Sequence, residues 1–82
     1  MTRGEAQQVI VGFLMERVRA DHYPSTTQMS TIEQLIPREM VPEYLDILMD
    51  KLVEDAWPST DMLRRIIRVA ETLPASEQRT RA

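Results

Sequence analysis

The sequence repeats itself at an offset of 34 residues, and this repeat constrains the fold more than any other feature. Residues 13–26, FLMERVRADHYPST, align with residues 47–60, ILMDKLVEDAWPST, and six of the fourteen aligned pairs are identical. The match covers a helical apolar stretch and the turn that follows it. It therefore predicts that one supersecondary unit has been duplicated.

Each copy of the unit has the pattern of a long helix, a sharp stop and a second helix. Apolar residues recur at helical spacing before each turn. Tyr23 and Trp57 each precede a proline, which disfavours helical dihedrals and predicts the end of the long helices. Ser25 and Ser59 then stand where N-caps of the second helices are expected. The prediction is an all-α fold of four helices, arranged as two duplicated helix-turn-helix units, each a helical hairpin.

The length of 82 residues predicts one helical domain, residues 1–73, in which unit one spans about 5–36 and unit two about 42–73. Residues 74–82 have no periodicity and are expected to form a flexible C-terminal tail. The apolar spacing also predicts which side chains of the first helix face the core: Ala6, Val9, Ile10, Phe13, Leu14 and Val18.

Composition excludes several classes of function. The chain has no cysteine and one histidine, so disulfides, thiolate zinc sites and cysteine nucleophiles are absent, and a reducing compartment, the cytoplasm, is expected. No apolar run is long enough to span a membrane. No phosphate-binding loop, nucleophile elbow or zinc-ligand spacing occurs. We therefore expect a non-enzymatic protein with no cofactor and no metal.

Two charged helix faces are candidate binding surfaces. Glu43, Asp46, Asp50 and Glu54 follow one face of the third helix, where solvation is the main interpretation and a partner or metal site is the alternative. Arg64, Arg65 and Arg68 are expected to form a basic face on the last helix, facing an acidic protein, nucleic acid or solvent. The formal charge of −3 disfavours nucleic acid.

The two copies differ most on one face of their long helices. Gly12, Glu16 and Ala20 align with Asp46, Asp50 and Glu54, so the first long helix has small residues where the other is acidic. A glycine within a helix lowers stability and is often kept for close backbone approach. The face containing Gln8, Gly12 and Ala20 is therefore predicted to contact another helix, in a homodimer or in a protein partner.

The stretch from Tyr23 to Trp57 resembles winged helix-turn-helix regulators of the GntR type, in which a Pro-Ser element precedes the DNA-reading helices. Two departures weaken that interpretation. The segment in the place of the recognition helix, residues 38–46, is acidic and contains a proline, and a second Pro-Ser-Thr element stands where a wing hairpin is expected.

The combination of Asp-x-aromatic-Pro-Ser with Met62-Leu63-Arg64-Arg65-Ile66 resembles small uncharacterised helical proteins of high-GC Gram-positive bacteria, a likeness that implies no activity. The function predicted from the sequence is a protein–protein interaction module. The alternative is a small DNA-associated helix-turn-helix regulator that uses the arginines of the last helix.

Overall fold

A computed structural model describes residues 1–54 and 59–73 of the chain. Over these residues the protein is helical and contains no strand, which confirms the predicted all-α class. The elements in chain order are α1 (Arg3–Ala20), α2 (Thr26–Leu35), a 3-10 turn (Arg38–Met40), α3 (Val41–Glu54) and α4 (Thr60–Ala70). Residues 55–58, which include Trp57, and the predicted tail 74–82 lie outside the described residues.

The helix starts follow from local capping chemistry. Ser25 Oγ accepts a hydrogen bond from the Gln28 amide at 3.2 Å, and Ser59 Oγ accepts one from the Met62 amide at 3.0 Å. Both serines thus satisfy amides that the first turn of a helix leaves free, as the sequence predicts. At the start of α1, Thr2 and Glu5 form a reciprocal capping box that the sequence analysis did not identify.

The core lies among the four helices. α1 packs on α2, α3 packs on α4, and α3 also packs on α1. Among the residues that the structure describes, Tyr44 is the largest fully buried side chain. The buried apolar residues come from every helix: Val11, Met15, Val18, Met29, Ile32, Val41, Tyr44, Ile47, Leu48 and Val69.

The predicted core face of α1 is wrong for three of its residues. Val9, Ile10 and Phe13 were expected inside but are exposed, whereas Val11 and Met15 are buried together with Val18. The physical reason is that α1 carries apolar residues around most of its circumference, so its periodicity does not distinguish the inner face from the outer one. The packing of α2 and α3 against α1 determines which of its sides is buried.

Lys51 joins α3 to the C-terminal end of α1 through the backbone. Its Nζ donates hydrogen bonds of 2.7 Å to the carbonyl oxygens of Arg19 and Asp21, at the C-terminal end of α1. The last carbonyls of a helix lack intrahelical donors and carry partial negative charge, so an ammonium group from α3 stabilises them. This contact explains why a lysine is buried here.

Candidate interaction surfaces

The outward side of α1 forms an apolar surface without a partner in the described chain. Val9 is 59% exposed, Phe13 is 62% exposed and Ile10 lies beside them. Ala6 and Ala20 fall on the same side, because they precede and follow Phe13 by seven residues, or two turns. We call these five residues the α1 outer face. Clustered apolar side chains on a small protein mark binding surfaces more often than isolated ones do.

A second set of exposed apolar side chains belongs to the second hairpin. Met49 and Val53 lie one turn apart on α3, and Leu63 and Ile67 lie one turn apart on α4. We call these four residues the hairpin-two face. Its Leu63 is 41% exposed.

The structure separates the predicted binding residues Gln8, Gly12 and Ala20. Ala20 is exposed on the α1 outer face, and Gly12 lies half-buried at its margin. A Cβ atom built on Gly12 would meet no atom within 4 Å, so no part of the described chain requires a glycine there. Gln8 is exposed and points towards the 3-10 turn, where its Nε2 donates to Glu39 Oε2 at 3.5 Å.

The predicted basic face of α4 does not form as one surface. Arg65 is only 5% exposed and points into the protein, whereas Arg64 and Arg68 are exposed. The Nη1 atom of Arg65 donates to both carboxylate oxygens of Glu33, at 2.9 and 2.8 Å. The expectation of three solvent-facing arginines is therefore wrong for Arg65, because a carboxylate of α2 holds its guanidinium inside.

Glu33 also accepts a hydrogen bond of 2.6 Å from the Tyr44 hydroxyl, so one carboxylate joins α2, α3 and α4. Burial, followed by the hydrogen bond to Glu33 and the negative charge of Glu33, raises the pKa of Tyr44 well above its ordinary value of 10.0. Burial lowers the pKa of Arg65, but the hydrogen bonds and charge of Glu33 raise it more, and the net shift is upward. Both side chains are thereby held in their protonated forms.

A cavity of about 200 Å³ lies beside this network. Its polar wall includes Glu33, whose carboxylate is already bonded to Tyr44 and Arg65. The carboxylate is thus engaged as a structural partner rather than free as a general base. The cavity is lined by Glu33, Ile36, Val41, Tyr44, Arg68, Val69 and Thr72.

The other polar candidates are exposed, and His22 among them lines a second cavity of about 300 Å³. The acidic side chains of Glu43, Asp46, Asp50 and Glu54 are all exposed on α3. His22 is exposed in the first turn and stacks edge-on against Tyr23, with 4.5 Å between ring centroids. In residues 1–54 and 59–73, no cluster of three acidic, histidine or cysteine side chains is arranged to hold a metal ion.

No protein-family model, curated protein or solved structure matches the chain. Within the part of the chain that the structure describes, no helix is both long enough and apolar enough to cross a membrane.

Proposed function

We propose that this protein is a non-enzymatic protein–protein interaction module that binds through the α1 outer face. The observation that carries the proposal is the exposure of Val9, Ile10 and Phe13 on the side of α1 opposite the buried Val11, Met15 and Val18. A helix that is apolar on both sides is typical of one covered on both sides. Residues 1–54 and 59–73, which the structure describes, cover only one side.

Two further features support the proposal. The polar groups nearest a cavity are already paired with one another, which favours a structural role for them over a catalytic one. The absence of cysteine suits a cytoplasmic module that works without disulfides or thiolate chemistry.

We also propose that the two hairpins are duplicated copies of one unit. Their serine caps support this, since Ser25 and Ser59 are 34 residues apart and accept the same type of hydrogen bond. The packing of α1 on α2 and of α3 on α4 supports it as well. Of the predicted binding residues, Ala20 belongs to the proposed binding surface and Gly12 lies at its margin, whereas Gln8 points towards Glu39.

A capture experiment tests the proposed binding surface. The tagged protein is used to retain proteins from a lysate of its source cell and to retain a differently tagged copy of itself. Phe13→Glu is expected to abolish retention, because a charge would have to be buried in the apolar contact. The matched control is Ser30→Glu, which adds the same charge at an exposed position of α2. Equal retention by the parent and Phe13→Glu would contradict the proposal.

A further inference from the structure

The contacts between the two hairpins suggest what covers the α1 outer face. In the structure several side-chain contacts join the first hairpin to the second, among them the Arg65–Glu33 pair described above and two further pairs. Arg19 Nη2 lies 3.3 Å from Glu43 Oε2, and the Tyr44 hydroxyl donates to Glu33 Oε2 at 2.6 Å. Each residue of these pairs has a counterpart 34 positions away in the other copy of the repeat.

The ion pair has an apolar counterpart at the surface. Val53 stands 34 positions after Arg19, and Val9 stands 34 positions before Glu43. Val53 is 80% exposed and Val9 is 59% exposed. Both members of the ion pair are thus replaced by valine, one on the hairpin-two face and one on the α1 outer face.

The tyrosine–carboxylate pair is replaced in the same way. Ile67 stands 34 positions after Glu33, and Ile10 stands 34 positions before Tyr44. Both isoleucines are exposed large apolar residues, again one on each face. Two polar pairs between the hairpins, the exposed Arg19–Glu43 pair and the partly buried Tyr44–Glu33 pair, therefore correspond to two apolar pairs whose members are separated on the surface.

The other large residues of the two faces have buried counterparts. Phe13 corresponds to Ile47, and Met49 corresponds to Met15. Leu63 corresponds to Met29. The counterparts Ile47, Met15 and Met29 all lie in the core. Where a neighbouring unit is present, apolar side chains at these repeat positions are buried. The exposed side chains of the two faces are residues of the same type at the same positions.

The repeat also provides a cation for a contact equivalent to the one between Lys51 and the backbone of α1. Lys51, which bonds the carbonyl oxygen of Arg19, corresponds to the exposed Arg17. The counterpart of Arg19 is Val53. Arg17 of one molecule is therefore the residue that would donate to the carbonyl oxygen of Val53 in another.

We infer that a second copy of this chain docks head to tail, with the α1 outer face of one molecule on the hairpin-two face of the next. The contact repeats the one between the two hairpins, and it rests on the proposed interaction function. Because the two faces differ, the association is heterologous and each molecule keeps one free face of each type. Val9 then packs on Val53 of the neighbour, and Ile10 packs on Ile67 of the neighbour.

Complementation between two surface variants tests this arrangement. Phe13→Glu blocks the α1 outer face, and Ile67→Glu blocks the hairpin-two face. In sedimentation equilibrium, the mass of the parent is expected to rise with concentration beyond that of a dimer, while each variant stays monomeric. An equimolar mixture of the variants retains one intact face of each type and is expected to form a heterodimer of twice the 9.5 kDa chain mass.

One variant serves as the control, and separate outcomes would contradict the inference and the proposed function. Ser30→Glu leaves both faces unchanged and should associate like the parent, and helical circular dichroism verifies that every variant folds. Any of three results would overturn the head-to-tail inference. These are self-association of Ile67→Glu, a mixture of the two variants that stays monomeric, and a parent that is monomeric at about 1 mM. If the parent is monomeric but Phe13→Glu loses a cellular partner, the inference fails while the proposed function stands. If Phe13→Glu changes neither self-association nor the retention of a cellular partner, the head-to-tail inference and the proposed function both fail.

A charge swap tests the register of the contact. Val9→Glu or Val53→Arg alone would place an unpaired charge opposite an apolar side chain in the contact and should weaken association. The double variant places the carboxylate and the guanidinium opposite each other, as Arg19 and Glu43 already are within the molecule. Recovery of association in the double variant is expected. Additive loss would show that these two positions do not meet.

Discussion

At the scale of single residues, Glu33 determines much of the interior. Its carboxylate accepts hydrogen bonds from Tyr44 on α3 and Arg65 on α4, while Arg68 approaches it to 3.8 Å. A buried carboxylate is costly unless cations and donors surround it. The surrounding groups here come from residues far away in the chain, so the network ties the hairpins together.

The raised pKa of Tyr44 predicts a loss of stability at alkaline pH. The folded protein retains the Tyr44 proton above pH 10, whereas the unfolded chain releases it, so this contribution is fully present below about pH 10 and declines above it. The decline has a limiting slope of about 1.4 kcal/mol per pH unit. In urea unfolding from about pH 9 to pH 11.5, Tyr44→Phe should lose stability less steeply than the parent. Parallel pH profiles would contradict this prediction.

Gly12 provides a second prediction at this scale. A methyl group added there has open space around it, and alanine favours helix over glycine by about 0.5–1 kcal/mol. Gly12→Ala should therefore raise the free energy of unfolding by about that amount in urea titration. A lower stability would indicate a close contact that the isolated chain does not make. Weaker association of the stabilised variant would place Gly12 within the binding surface.

At the scale of helices, the end of α1 depends on α3. Lys51→Met removes two short hydrogen bonds between an ammonium group and backbone carbonyls, and we expect a loss of about 1–3 kcal/mol. Amide hydrogen exchange should speed up most in the last turn of α1. Arg17→Met removes a nearby exposed cation and serves as the control, with a much smaller effect on stability. Equal losses in the two variants would contradict a specific role for Lys51.

At the scale of the whole molecule, the charge distribution separates protein binding from DNA binding. The net charge is −3, and the burial of Arg65 leaves Arg64 and Arg68 as the exposed arginines of α4. We expect no retention on duplex DNA at moderate salt, and no change in the Arg64→Ala/Arg68→Ala double variant. Retention that falls steeply with salt and disappears in the double variant would favour the DNA-associated regulator instead.

The exposure of the two apolar faces cannot be predicted from the residue pattern of one helix at a time. Val9, Ile10 and Phe13 have the spacing of a core face, and the repeat counterparts of Ile10 and Phe13, which are Tyr44 and Ile47, lie in the core. These two positions are buried in α3 because α3 packs on α1 as well as on α4, whereas Glu43, the counterpart of Val9, is exposed. The described chain provides no such helix for the outer side of α1.

The sequence by itself determined the helical class, the approximate positions of the helices and the serine caps at Ser25 and Ser59. These features depend on interactions between residues a few positions apart, and those interactions are readable from spacing and residue type. Tertiary structure alone decided which side of α1 is buried, why Arg65 points inward and where Lys51 donates its hydrogen bonds. Each of these depends on groups at least 30 positions apart or on a choice between two apolar sides of one helix. Local sequence pattern carries no energetic information about either.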